Sequence, residues 1–162
     1  MSRIVLLLAF GVAIAIFLAT SATLPATVAT HFAGGGRANG FMTRIGYQVF
    51  YFALMTLMVA VTYGSLTWLP SRFPHLLNLP HRDYWLEPRR RQATLATLRA
   101  FGVAMALSML TLLVAIHLLV VDAHERTPPT LHEPTMLTTL SIFVALLVAL
   151  LVALYLRFRK PG

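Results

Sequence analysis

Apolar and polar residues follow one another along this chain in long blocks. Four strongly apolar segments cover about residues 4–22, 45–69, 93–121 and 136–156, and Arg99 is the one charged residue inside them. A bilayer core about 30 Å thick is crossed by about 20 helical residues. The pattern therefore predicts an all-α integral membrane protein, built as a single four-helix membrane domain over residues 1–162.

The third segment has its own start signal and is longer than a bilayer requires. Glu87-Pro88 is typical of a helix start, with proline at the first helical position. The basic run Arg89, Arg90 and Arg91 follows at once, and Arg99 comes two to three turns later. We expect the three consecutive arginines to lie among lipid headgroups, with Arg99 snorkelling towards them.

Composition agrees with the pattern, since 58% of the residues are hydrophobic and 11% are charged, against about 25% charged in soluble domains.

The net charge of +8 is unevenly placed. Ten Lys and Arg residues lie in the termini and around residues 70–99, and three (Arg37, Arg44 and Arg126) lie in the other two loops. The positive-inside rule then predicts a multi-pass membrane protein with both termini in the cytoplasm. Anionic lipids at the cytoplasmic face are the expected partners of this charge, not nucleic acid, and the absence of cysteine excludes disulfides and thiol chemistry.

The loop between the first two segments has the composition of a folded turn. Pro25 ends the first helix, Thr27–Phe32 is β-prone, and the glycines with Asn39-Gly40 supply turn positions. We expect a short structured outer loop whose inner side is covered by Val28, Phe32 and Phe41.

Two stretches of this region carry a family resemblance. The first is His31-Phe32, a glycine turn ending at Gly36, then Asn39-Gly40 and Phe41 up to Thr43-Arg44; the second is Asn78-Leu79-Pro80 followed by Tyr84-Trp85-Leu86. Over residues 4–92 the chain resembles a small bacterial membrane domain of unknown function. That domain is also found at the N-terminus of SdpI-type immunity proteins, which protect cells from a secreted toxin. Arg37 and Ala38 depart from the family pattern, which has an acidic residue and proline there.

The resemblance implies the bacterial inner membrane as the location, with a functional motif on each side of it. The outer motif would be His31, Phe32, Gly36, Asn39 and Gly40, and the cytoplasmic motif would be Asn78, Leu79, Pro80, Tyr84 and Trp85. His31 has two interpretations: its ring pins the turn by a hydrogen bond to loop backbone, or it contacts an external ligand, peptide or metal.

The second outer loop adds further polar residues. His and carboxylate side chains are ligands for zinc or copper, so His31, His124, His132 and Asp122 form a speculative metal site. The alternative is a solvated polar loop, and no other cofactor is predicted.

Small residues recur every four positions on the first and fourth segments. One stripe contains Gly11, Ala15 and Ala19, and the other contains Ala145, Ala149 and Ala153. Small residues let membrane helices approach closely, so we expect both stripes in helix–helix contacts, either within the chain or with a second subunit.

No nucleophile with a base, no paired acids and no phosphate-binding loop stands out, so we expect no enzymatic activity of the chain alone. The function most consistent with the sequence is SdpI-like immunity or envelope sensing through the outer loops, with a peptide ligand. An accessory subunit of a larger membrane complex and an outer-face metal-binding protein are the alternatives.

Overall fold

The computed structural model describes residues 3–159. Its elements are α1 (Arg3–Ser21), β1 (Thr27–Phe32), β2 (Ala38–Thr43), α2 (Arg44–Tyr63), a π-helical segment (Gly64–Trp68), α3 (Leu69–Arg72), a 3-10 turn (Pro74–Leu76), α4 (Arg82–Trp85), α5 (Pro88–Ala123) and α6 (Glu133–Phe158).

Four helical stretches in this part of the chain are long and apolar enough to cross a membrane: Arg3–Ser21, Arg44–Arg72, Pro88–Ala123 and Glu133–Phe158. They confirm the four predicted segments and the class of multi-pass membrane protein. The third stretch begins at Pro88 with Glu87 before it, as the sequence predicts, and its 36 residues would span about 54 Å.

Helix α5 is the centre of the fold, because α1, α2 and α6 all pack against it. The helices run alternately up and down, which gives the molecule two ends. We call the end with β1, β2 and residues 124–132 the hairpin end. The other end, with Arg3, residues 73–92 and residues 157–159, is the arginine end.

The main core lies between α1, α2 and α5. Phe17 of α1, Tyr51 and Met55 of α2, and Ala106 and Leu110 of α5 are all buried there. Each helix thus buries one face and leaves the rest of its apolar surface outward, as expected where lipid is the solvent.

Helix α6 is placed differently from the other three. It packs against α5, and no residue of its most apolar 18-residue stretch is buried. Its C-terminal Phe158 is buried beneath Trp85 at the arginine end, where the indole Nε1–H donates to the Phe158 carbonyl at 3.1 Å.

The small-residue stripes do not lie in contacts within the chain, so that form of the prediction is wrong. The residues of both stripes face outward: Gly11, Ala15 and Ala19 on α1, and Ala145, Ala149 and Ala153 on α6. A Cβ added at Gly11 would meet nothing within 4 Å. Other positions make the contacts of α1 within the chain, because Leu6, Ala13 and Phe17 are its core positions. Contact with a second subunit stays a prediction.

Helix α5 approaches the π-helical segment closely where the two cross. A Cβ added at Gly102 would come within 2.4 Å of Thr67 Cγ2 and 3.0 Å of Leu66 Cβ. Glycine is therefore required at this crossing, which fixes the arginine-end half of α2 against α5.

Candidate functional site

The loop between α1 and α2 is a two-stranded antiparallel hairpin, β1 with β2. Gly35 and Gly36 form its turn with φ of +79° and +72°, a region that L side chains rarely adopt. Gly36 has a second constraint, since a Cβ there would come within 2.1 Å of the Leu131 carbonyl oxygen. The Thr43 hydroxyl caps the following helix by accepting from the Gly46 amide at 3.1 Å.

Three motif residues of the hairpin act on one another. His31 Nδ1 donates to Asn39 Oδ1 at 2.5 Å across the strand pair. Gly40 is paired with His31, and a Cβ at Gly40 would come within 2.8 Å of His31 Cβ. His31 therefore holds the hairpin through a hydrogen bond to the Asn39 side chain. One interpretation had expected a hydrogen bond to loop backbone instead. The ring stays exposed.

The inner side of the hairpin is covered by fewer residues than expected. Val28 is fully buried and Phe32 is half-buried against the core. Phe41 is 56% exposed, so the expectation that it faces inward is wrong. Phe41 is paired with the fully buried Ala29, yet its own side chain remains largely exposed. Phe41 is instead an aromatic side chain presented at the surface of the hairpin end.

The hairpin is bonded directly to both later helices. The Ala29 amide donates to His124 Nε2 at 2.9 Å, and His124 Nδ1 donates in turn to the Val120 carbonyl at 2.7 Å. At the hairpin tip the Gly35 amide donates to Glu133 Oε1 of α6 at 2.7 Å, and the Leu131 amide donates to the Gly36 carbonyl at 2.8 Å. Strand β1, the end of α5 and the start of α6 are thus one hydrogen-bonded unit.

A buried histidine lies directly beneath this unit. His117 of α5 is 1% exposed, with its Nε2 at 2.7 Å from Thr20 Oγ1 and its Nδ1 at 2.7 Å from the Tyr47 hydroxyl. The Thr20 hydroxyl hydrogen is directed to the Ile16 carbonyl, so Thr20 accepts from Nε2–H and Tyr47 donates to Nδ1. The ring is then a neutral imidazole with both nitrogens satisfied.

Aromatic rings enclose this histidine and continue the network. Phe17 meets the His117 ring edge-on at 4.8 Å, and Tyr51 lies at 5.5 Å while donating its hydroxyl to the Leu113 carbonyl at 2.5 Å. Gln48 donates to Ser21 at 3.1 Å beside it. Three helices are joined here by side-chain hydrogen bonds. Tyr47, Tyr51 and His117 could not be assigned to one site from the sequence, in which the available signal was a lone histidine among apolar residues.

A crevice of about 450 Å³ opens beside the hairpin between α5 and α6. Asp122, Arg126, His132 and Thr135 line it. Arg126 pairs with Asp122 at 2.7 Å, and the hydrogen bond to this carboxylate raises the pKa of Arg126. His132 Nδ1 bonds to Thr135 Oγ1 at 2.6 Å.

The four residues of the speculative metal site have separate partners. His31 bonds to Asn39, His124 uses both ring nitrogens, His132 bonds to Thr135, and Asp122 pairs with Arg126. Within residues 3–159, no group of three or more His, Asp or Glu side chains is arranged to hold a metal ion.

The second motif forms the packing centre of the arginine end. Trp85 is buried with Leu95, Leu98 and Phe158, and Leu79 and Tyr84 pack against this cluster. The Thr94 hydroxyl donates to the Trp85 carbonyl at 2.8 Å. Asn78 and Pro80 are exposed.

The three consecutive arginines of the arginine end differ in their contacts. Arg90 lies 3.9 Å above the Tyr84 ring and pairs with Glu87. Arg89 and Arg91 are exposed at the start of α5. This arrangement is compatible with the predicted headgroup contacts.

Comparisons with models of protein families, with curated proteins and with solved structures found no match for this chain. The interpretation of the site therefore depends on its own geometry.

Proposed function

We propose that this chain is a non-enzymatic protein of the bacterial inner membrane that binds or senses an external ligand at its hairpin end. In this proposal both termini are cytoplasmic, following the distribution of basic residues. A peptide toxin is the ligand in the SdpI-like case, which would make the role one of immunity or envelope sensing.

The observation that supports the proposal best is the direct bonding of the hairpin to two membrane-spanning helices. A ligand that shifts β1 acts on α5 through the bond from Ala29 to His124, and one that shifts the tip acts on α6 through the bond from Gly35 to Glu133. Hydrogen bonds between packed elements are one physical means by which an outer site can be coupled to membrane-spanning helices.

The hairpin also presents a surface suited to a peptide. Phe41 is an exposed aromatic side chain, and the exposed His31 and Asn39 lie on the paired strands beside it. Aromatic anchors next to polar groups are the usual centres of protein–peptide contacts.

The test is survival of a strain lacking the gene when peptide toxins are added, with complementation by the wild type, Phe41→Ser or Phe73→Ser. The two variants make the same change at opposite ends of the molecule, and Phe73 is also exposed. We expect the Phe41→Ser strain to be killed at about one tenth of the toxin dose that kills the strain complemented with the wild type, since an aromatic anchor contributes about 1–2 kcal/mol of binding free energy. The Phe73→Ser strain should survive as well as the wild type. Equal survival of the deletion strain and the wild type across the panel would exclude immunity.

A second candidate is an accessory subunit of a larger membrane complex. It is favoured by the outward small-residue stripes on α1 and α6, which would let a partner helix approach closely. Purification in mild detergent distinguishes the two functions. A lone chain or a homo-oligomer argues against the subunit, and a stoichiometric companion protein supports it.

A further inference from the structure

Two arginines at the arginine end face one cavity and have no partner among residues 3–159. The cavity, of about 890 Å³, lies between α1, the π-helical segment and α5, with Arg3 and Arg99 on its wall together with Tyr63, Thr67, Trp68 and Ser71. Its volume is within the range of about 300–1,000 Å³ that is usual for small-molecule sites.

The charge of this cavity is uncompensated. The ion pairs found in residues 3–159 join Arg82 to Asp83, Arg90 to Glu87, and Arg126 to Asp122. No acidic residue lines the cavity. Two guanidinium groups without a carboxylate are suited to an anion, and their planar donors match the geometry of phosphate.

The depth of the two arginines corresponds to lipid phosphate. Arg3 begins a helix of 19 residues that ends at Ser21, about 28 Å away, and Arg99 lies about 36 Å from the end of α5 at Ala123. Both lengths are close to the hydrocarbon thickness of about 30 Å. Trp68, which is 61% exposed, and Tyr63 are the amphipathic aromatics found at headgroup level.

An apolar groove continues from the cavity into the membrane region. It occupies about 250 Å³ between α1 and α2 and is lined by Leu6, Phe10, Val59 and Ala60. Arg3, Leu7 and Tyr63 belong to the walls of both the cavity and the groove. A cationic cavity that joins an apolar groove has the two chemistries of one lipid molecule.

We propose that Arg3 and Arg99 hold the phosphate of one anionic glycerophospholipid, with an acyl chain in the groove between α1 and α2. The site is separate from the Arg89–Arg91 run, which does not line the cavity. It is also independent of the hairpin-end function, because no residue is shared.

The test is native mass spectrometry of the full chain in detergent, with dioleoyl phosphatidylglycerol titrated against dioleoyl phosphatidylcholine. We expect one phosphatidylglycerol retained per chain at concentrations where phosphatidylcholine dissociates. Arg3→Gln with Arg99→Gln should weaken retention about tenfold or more, since charge-assisted bonds to phosphate are lost. The matched control, Arg72→Gln with Arg159→Gln, removes two exposed charges from the same end and should retain the lipid.

Two further arms separate a lipid from a free phosphate. Ala60→Trp fills the groove and leaves both arginines in the sequence. Its lowered retention would therefore not depend on how well the arginine variant folds. Glycerol phosphate added at millimolar concentration should not displace the lipid. Equal retention of the two lipids, equal loss in both arginine variants, full retention by Ala60→Trp, or displacement by glycerol phosphate would each overturn the proposal.

Discussion

The two ends of this molecule differ in whether their key ionisable side chains have protein partners. At the hairpin end, His117, His124 and Glu133 each have a protein partner, and the hydrogen bonds run continuously from β1 into α5 and α6. At the arginine end, Arg3 and Arg99 face a cavity with no protein partner in the part of the chain described. The comparison teaches that one end satisfies its polar side chains with its own residues, whereas the other leaves Arg3 and Arg99 available for the lipid that we propose.

The largest effect should come from the centre of the hairpin end. His117→Leu keeps most of the volume but leaves the Tyr47 hydroxyl buried without its acceptor. We expect a loss of about 2–3 kcal/mol in the free energy of unfolding, measured by denaturant titration in mixed micelles. His132→Leu, at an exposed position, should change it by less than about 0.5 kcal/mol. Equal small losses in both variants would show that the buried network contributes little.

Docking of the hairpin on the loop between α5 and α6 should be the next most sensitive feature. Gly36→Ala places a methyl group against the Leu131 carbonyl at a positive φ. We expect a cost of about 1–3 kcal/mol and faster hydrogen exchange of the β1 and β2 amides. Gly34→Ala is the control, since a Cβ there meets nothing within 4 Å. Unchanged exchange in Gly36→Ala would contradict a fixed tip.

At the arginine end, Arg3 and Arg99 lack partners in the described part of the chain, but the helices pack closely. Substitution of Gly102 tests this packing. Gly102→Ala pushes a methyl group into Thr67, whereas a Cβ at Gly64 meets nothing within 4 Å. Both variants gain about 1 kcal/mol of helix propensity, so we expect Gly102→Ala to be less stable than Gly64→Ala by about 1–2 kcal/mol. The thermal midpoint in detergent measures the difference, and equal midpoints would mean that the crossing is loose.

The smallest effect should come from the bond between the hairpin tip and α6. Glu133→Ala removes the acceptor of the Gly35 amide, an exposed bond that contributes about 0.5–1.5 kcal/mol. We expect local exchange at the tip to rise while global unfolding changes little. Glu125→Ala, also exposed, is the matched variant and should leave the tip unaffected.

The sequence predicted the features that depend on composition and local chain geometry. The four spans follow from apolar length, the start of α5 from Glu87-Pro88, and the β-prone stretch from Thr27–Phe32. These properties are set by residues close together in the chain, so no knowledge of packing is needed to recognise them.

The contacts that close the hairpin end could not be predicted in the same way. His117 finds its partners at Thr20 and Tyr47, which are 97 and 70 positions away, and only the packing of three helices brings them together. For a related reason the sequence could not show whether the small-residue stripes face inward or outward. In lipid, outward and inward faces are both apolar, so Ala15 and Ala13 look alike in sequence although Ala13 alone is buried.

Helix α6 is fastened at its two ends and only lightly supported between them. Glu133 ties its first turn to the hairpin, and Phe158 ties its last turn to Trp85. Its middle turns pack against α5 without burying a residue fully, so exchanges among Leu, Val and Ile on the outward face should be nearly neutral. Selection on this helix would fall on its two extremities, so closely related chains should differ most in the part of α6 that looks most uniformly hydrophobic.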